Sequence, residues 1–286
     1  MRFIYCLYCL VAMLIVAPPA VAQGLDLGGP STGAPVPIQI TATEGISWSQ
    51  KTHTVTATGQ AKAIRGDVTV TADQLIAHYV PKKSGTSSSP DSSAMLEQGN
   101  AQLTELDAVG HVHIYTATDN AWGDRAVYSI GQQVLVLTGK NLKLTTPKDT
   151  VTARDSIEYY AGQHKAVARG NARITANDGR TITADVIVGY FSAQSDNKAD
   201  GNLKKVDALG HVVITTKTDT ASGDSGVYLP ATGEARLGGN VHITHGGNQM
   251  TGADALINMK TGTATLLAVP GKQVSGVILP TSGKTK

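Results

Sequence analysis

Asp107-Ala-Val-Gly-His-Val-His-Ile114 and Asp207-Ala-Leu-Gly-His-Val-Val-Ile214 are nearly the same octapeptide written twice, 100 positions apart. The offset persists through Asp119/Asp219, Gly123/Gly223, Asp124/Asp224, Val127/Val227 and Tyr128/Tyr228. One residue shorter, it continues through Asn141/Asn240, Leu142/Val241, Leu144/Ile243 and Asp155/Asp254. A duplication of this extent makes repetition the organising feature of the fold.

A finer unit lies inside the duplication. Gly59, Gly110, Lys140, Gly170, Gly210 and Gly239 each precede apolar or small residues two and four positions later. Each lead residue is followed, 14 or 15 positions on, by an Asp: Asp73, Asp124, Asp155, Asp185, Asp224 or Asp254. Turn-forming residues occupy the middle of every unit, as in Arg65-Gly66-Asp67, Asn177-Asp178-Gly179 and Gly246-Gly247-Asn248. Between turns the apolar residues alternate with period two, as on half-buried strands. The spacing predicts strand–turn–strand units that begin at each lead residue, in an all-β antiparallel array. Glu44, four residues before Trp48, marks a partial unit ahead of the first. One continuous domain is expected over residues 38–269, with polar insertions at 81–99 and 192–202.

Composition agrees. Charged residues are 16% of the 286, Gly numbers 31, and 41% of residues are hydrophobic. That disfavours a helical bundle and disorder alike. A net charge of +2 gives no electrostatic footprint for nucleic acid. Arg2, the apolar run from Phe3 to Ala17 and the triplet Ala20-Val21-Ala22 read as a signal peptide over residues 1–22, cut between Ala22 and Gln23. Cys6 and Cys9 both fall inside it, so the mature chain needs no disulfide. Residues 23–37 read as a flexible lead-in and 270–286 as a disordered tail.

The sequence points to no enzyme, cofactor or metal. No Gly-x-Ser-x-Gly, phosphate loop or dinucleotide fingerprint occurs. The repeated Asp residues are spread one per unit, which suits a backbone-binding role at a sheet corner better than catalysis. His111-x-His113 and His242-x-x-His245 each offer two metal ligands, with no third suggested. The candidate functional residues are aliphatic: Val112, Ile114, Leu142, Leu144, Ala172, Ile174, Val212, Ile214, Val241 and Ile243. They recur on one face of successive strands, either as an ordinary packed core or as the wall of a groove for acyl chains.

The repeated Gly-x-Val-x-Ile, then a turn, then a small residue, Asp and Tyr, resembles the LptA/OstA-like lipopolysaccharide-transport family. The segment Val55-Thr-Ala-Thr-Gly-Gln-Ala-Lys-Ala63 to Thr71-Ala-Asp73 is similar to that family's opening. The likeness runs from about Ile38 to Ala268. It implies a single twisted, V-shaped antiparallel β-jellyroll with a greasy interior and open ends. It implies an exported, soluble periplasmic bridge that shields lipopolysaccharide acyl chains between inner and outer membranes. The implied partners are lipopolysaccharide (its lipid A acyl chains), an inner-membrane LptC-like jellyroll, an outer-membrane LptD-like jellyroll, and head-to-tail copies of itself. The competing reading is a secreted structural or glycan-binding β-solenoid resembling an adhesin. There the interior would be filled and function would lie outside.

Overall fold

The computed structural model describes residues 38–81, 101–192, 203–271 and 273–278. The signal segment, lead-in and nearly all of both polar insertions lie outside the described residues. The described residues are antiparallel sheet almost throughout. β1 (Gln39–Thr41) and β2 (Gly45–Ser49) precede the long pair β3 (Thr54–Arg65) and β4 (Val68–Pro81). β5 (Ala101–Tyr115) and β6 (Asn120–Ser129) follow. Four short strands come next: β7 (Val134–Thr138), β8 (Leu142–Thr145), β9 (Asp149–Ala153) and β10 (Ser156–Tyr160). Then come β11 (Lys165–Ala176), β12 (Thr181–Phe191), β13 (Leu203–Thr215) and β14 (Asp219–Leu229). β15 (Glu234–His245), β16 (Asn248–Asn258), β17 (Thr263–Leu267) and β18 (Ser275–Val277) complete the array. β18 pairs with β16, so ordered sheet extends past the boundary expected at residue 269.

The lead glycines do not begin strands. Gly59, Gly110, Gly170, Gly210 and Gly239 lie in the middle of β3, β5, β11, β13 and β15. Each begins a pair of left-handed residues, for example Gly110 (φ 78°) with His111 (φ 45°) and Gly210 (φ 75°) with His211 (φ 47°). The register shifts at each of these pairs, which is a β-bulge that bends the strand sharply. The expected strand–turn–strand unit is therefore one long bent strand followed by another. Period-two patterning on both sides of a glycine cannot distinguish a bulge from a strand end.

The bends divide the sheet into two walls. The first wall runs through residues 45–49, 54–58, 74–81, 101–109, 125–129, 134–138 and 156–160, and continues to β17. The second runs through 39–41, 61–65, 68–72, 112–115, 120–123, 142–145 and 149–153, and continues to β18. Both walls cross the midpoint of the chain without a break, through β10–β11 in the first and β9–β11 in the second.

The repeated acids sit along the spine where the walls meet. A Cβ on Gly110 would collide with the Asp73 carboxylate, and one on Gly210 with that of Asp185. Gly139, Gly170 and Gly239 face Asp124, Asp155 and Asp224 in the same way, and Glu44 takes the acid's place against Gly59. The Asp124 carboxylate accepts from the Lys140 backbone N–H at 2.7 Å. Asp185 pairs with His211 Nδ1 at 2.8 Å, and Asp224 accepts from the Asn240 amide at 2.9 Å. Among the acids that face these glycines, the backbone-binding role expected of them is shown by Asp124; Asp73, Asp185 and Asp224 instead bond the side chain that follows each facing glycine, and Asp155 bonds Arg154.

Packing divides in two along the chain. One cluster, from Val68 to Ile157, joins Val112, Ile114, Ala121 and Leu142 of the second wall to Ala108, Ala126, Leu135 and Leu137 of the first. The other, from Ala168 to Ala255, joins Val212, Ile214, Val241 and Ile243 to Ala208, Ala235 and Leu237. Ala153 packs against both clusters.

Candidate functional site

Cross-strand register places all the predicted aliphatic residues on the inner face of the second wall. Ile114 pairs with Ala121, Ala121 with Leu144, Leu144 with Val151 and Val151 with Ile174. Ile174 pairs with Ile182, Ile182 with Ile214, Ile214 with Ala221, Ala221 with Ile243 and Ile243 with Met250. This is one unbroken aliphatic row across both repeats. Val112, Leu142, Ala172, Val212 and Val241 lie two residues nearer the spine. They stand opposite the small residues Gly123, Ala153, Ala184, Gly223 and Gly252. The size gradient has a physical cause: the walls converge at the bends, and a Cβ on Gly123 would come within 2.8 Å of Leu137. A large side chain such as Leu142 fits near the spine only opposite a small partner.

The row is packed along most of its length. Ile114 is 1% exposed, Ile214 5% and Ile243 3%. A cavity touching these residues, bounded also by Val206, Gly226 and Tyr228, holds only about 10 Å³. That is less than one methylene occupies. Apart from its end at Met250, the row loosens in one place. Leu144, Val151 and Ile174, consecutive in the row, are half-buried, as are Tyr159 and Ala166 on the facing wall. This is also where the two core clusters meet.

At both ends each wall leaves a strand paired on one side. Among the described residues, β1 and β2 pair only with β3. β17 and β18 pair only with β16. Ile46 at one end, and Val277 and Ile278 at the other, are largely exposed.

The outer face carries polar groups in specific pairs. Glu158, nearly buried on the first wall, accepts from Arg169 Nε at 2.7 Å, Tyr160 Oη at 2.7 Å and Ser156 Oγ at 2.8 Å. Burial pushes its carboxyl pKa up, but these three donors outweigh it and hold the pKa below the usual value. A depressed acid stabilises the fold above its unfolded pKa, and that stability is lost as pH falls through the folded value. Arg169→Met is therefore expected to cost about 1–3 kcal/mol at neutral pH, discounted because the guanidinium is half exposed. The deficit should shrink as pH falls through the lowered pKa of Glu158 and its carboxylate protonates. Urea denaturation of both proteins at neutral and at successively lower pH measures it.

His111 and His211 stand at the two matching bends, and hydrogen bonds to Asp73 and Asp185 raise their imidazole pKa values. A raised histidine stabilises below its unfolded pKa, and that contribution is lost as pH rises through the folded value. Both rings are exposed, so the effect is local. The sequence pairs do not converge. His111 pairs with Asp73, while His113 stacks on Trp122, its ring 4.9 Å off at 8°. His245 pairs with Asp219, while His242 lies opposite Thr251.

One constellation was invisible in the sequence. His78, Glu105 and Asp107 bring a ring nitrogen and two carboxylates within 4.8 Å of one another on the outer face of the first wall. His78 and Glu105 are 27 positions apart, with the polar insertion between them. Only the β4–β5 register, which sets these two opposite each other, brings them together.

Two long bent walls, joined along a spine, lined inside by aliphatic rows and half-paired at their terminal edges, define a β-jellyroll scaffold. The sequence pattern of the family described as LptA/(LptD N-terminal domain) LPS transport protein matches twice, over residues 39–162 and 155–263. The chain belongs to this family, and it contains two successive copies of the family unit. The two matches coincide with the two core clusters. No curated protein matches the chain significantly. Among solved structures, it is similar to LptH, the LptA-homologous periplasmic component of the lipopolysaccharide transport device from Pseudomonas aeruginosa. The identity is 18%, the TM-score 0.39, and the match covers 46% of this chain and 95% of that one. Membership rests on the family match, not on this likeness. Among the described residues, no helix is long and apolar enough to cross a membrane.

Proposed function

We propose that this member of the lipopolysaccharide-transport family is an exported periplasmic bridge. It shields lipid A acyl chains between its walls as lipopolysaccharide passes from the inner to the outer membrane. The observation that carries the reading is the in-register aliphatic row from Ile114 to Met250, continuous across both family units. Exposing an acyl chain to water costs about 0.8 kcal/mol per CH₂. A chain of a dozen carbons therefore gains on the order of 10 kcal/mol from shelter, without any covalent step. The half-paired end strands suit the edge-to-edge partners of such a bridge: an LptC-like jellyroll at one end, an LptD-like one at the other, or further copies of this chain.

The closed interior bears on the mechanism. Carriage requires the walls to part, and the half-buried segment at Leu144, Val151 and Ile174 is where the least packing opposes that. Ile174→Glu should reduce bound lipid at least about tenfold, since a charge set against hydrocarbon costs well over 1.4 kcal/mol. Native mass spectrometry of the mature chain, purified from periplasm without detergent, reads this directly. Stoichiometric mass displaced by excess lipid A, and lost in Ile174→Glu, supports carriage. Clean apo protein that refuses added lipid A overturns it. That outcome favours the second reading, a structural or glycan-binding β protein, for which the filled interior speaks.

A further inference from the structure

We propose that His78, Glu105 and Asp107 form a divalent-cation site of the zinc class on the outer face of the first family unit. His78 and Glu105 stand opposite each other on β4 and β5, and Asp107 lies two residues along β5 on the same face. One imidazole and two carboxylates are borderline-to-hard ligands suited to Zn²⁺ and its neighbours among the divalent transition ions.

The distances favour a shared ion over direct pairing. His78 Nε2 lies 3.3 Å from Asp107 Oδ2, long for a hydrogen bond. Two ligands bound about 2.0–2.1 Å from a tetrahedral ion stand about 3.3 Å apart. Arg125, the other neighbour of Asp107, holds its two oxygens only at 3.4 Å. Asp107 is 7% exposed, so this nearly buried carboxylate has only long contacts to its charged partners. Two acids there face one guanidinium.

The second unit supplies an internal control. Tyr190 and Lys205 are paired across β12 and β13 as His78 and Glu105 are across β4 and β5. Asp207 occupies the position of Asp107 in the repeated octapeptide. Lys205 Nζ reaches Asp207 at 2.8 Å and sits over the Tyr190 ring at 4.5 Å. The second unit thus neutralises its acid with a lysine. The first carries Glu105 and His78 at those two positions, both possible ligands, and its built-in cation is Arg125, where the second unit has Ser225.

The test titrates ZnCl₂ into the full mature chain, prepared without a histidine tag, by calorimetry and by NMR of the histidine rings. One ion should bind per chain at this site, moving the His78 ring resonances. His78→Ala and Glu105→Lys should each weaken binding more than about tenfold. Glu105→Lys installs the second unit's residue, so unchanged circular dichroism and thermal midpoint separate lost ligation from lost folding. Absence of saturable binding in the unmodified chain overturns the site. So does binding that both variants retain, which would place the ion on other histidines such as His111 or His245.

Discussion

Gly210→Val is expected to destabilise the chain by about 2–5 kcal/mol, read from urea denaturation midpoints at unchanged slope. Two costs combine. Gly210 has φ 75°, a left-handed conformation that disfavours a β-branched side chain by about 1–2 kcal/mol. Its Cβ would also enter the space of the Asp185 carboxylate, and overpacking of that kind costs about 1–3 kcal/mol. The two are separable. In an Asp185→Gly background the collision disappears while the backbone strain remains. The double mutant should then lose less stability than the sum of the single changes, by about 1 kcal/mol or more. Strict additivity would mean that the spine is held by backbone conformation alone.

Leu237→Ala should cost about 2–5 kcal/mol, because Leu237 is wholly buried in the second cluster among Val212, Val241 and Ala255. Its distribution along the chain matters as much as its size. Each strand contacts mainly its neighbours, so stability in such an array sums from nearest-neighbour terms. Hydrogen exchange should accelerate most in β13–β16 and least in β5–β7, which belong to the other cluster. Uniform acceleration along both units would show instead that the unbroken walls through β9, β10 and β11 make the chain one cooperative body.

The doubled octapeptide at Asp107 and Asp207, the period-two alternation and the turn residues sufficed to read an all-β array of antiparallel strands. They also placed Val112 to Ile243 on a common face. Those features are local: alternation follows from the strand's two-residue period, and a turn from the residues that tolerate it. The same local signals misplaced the strand ends, because Gly110-His111 looks like a start whether the chain begins there or bends there. Left-handed φ values at two successive residues decided for the bend.

What the tertiary structure alone decided is non-local. The meeting of Gly210 with Asp185 and the facing of two walls depend on which strands lie side by side. So does the gathering of His78, Glu105 and Asp107. The interior's closure is of the same kind, since the sequence shows an aliphatic face without showing what packs against it. Alternation determined the residues available to line this protein; register and the bent spine determined what they touch.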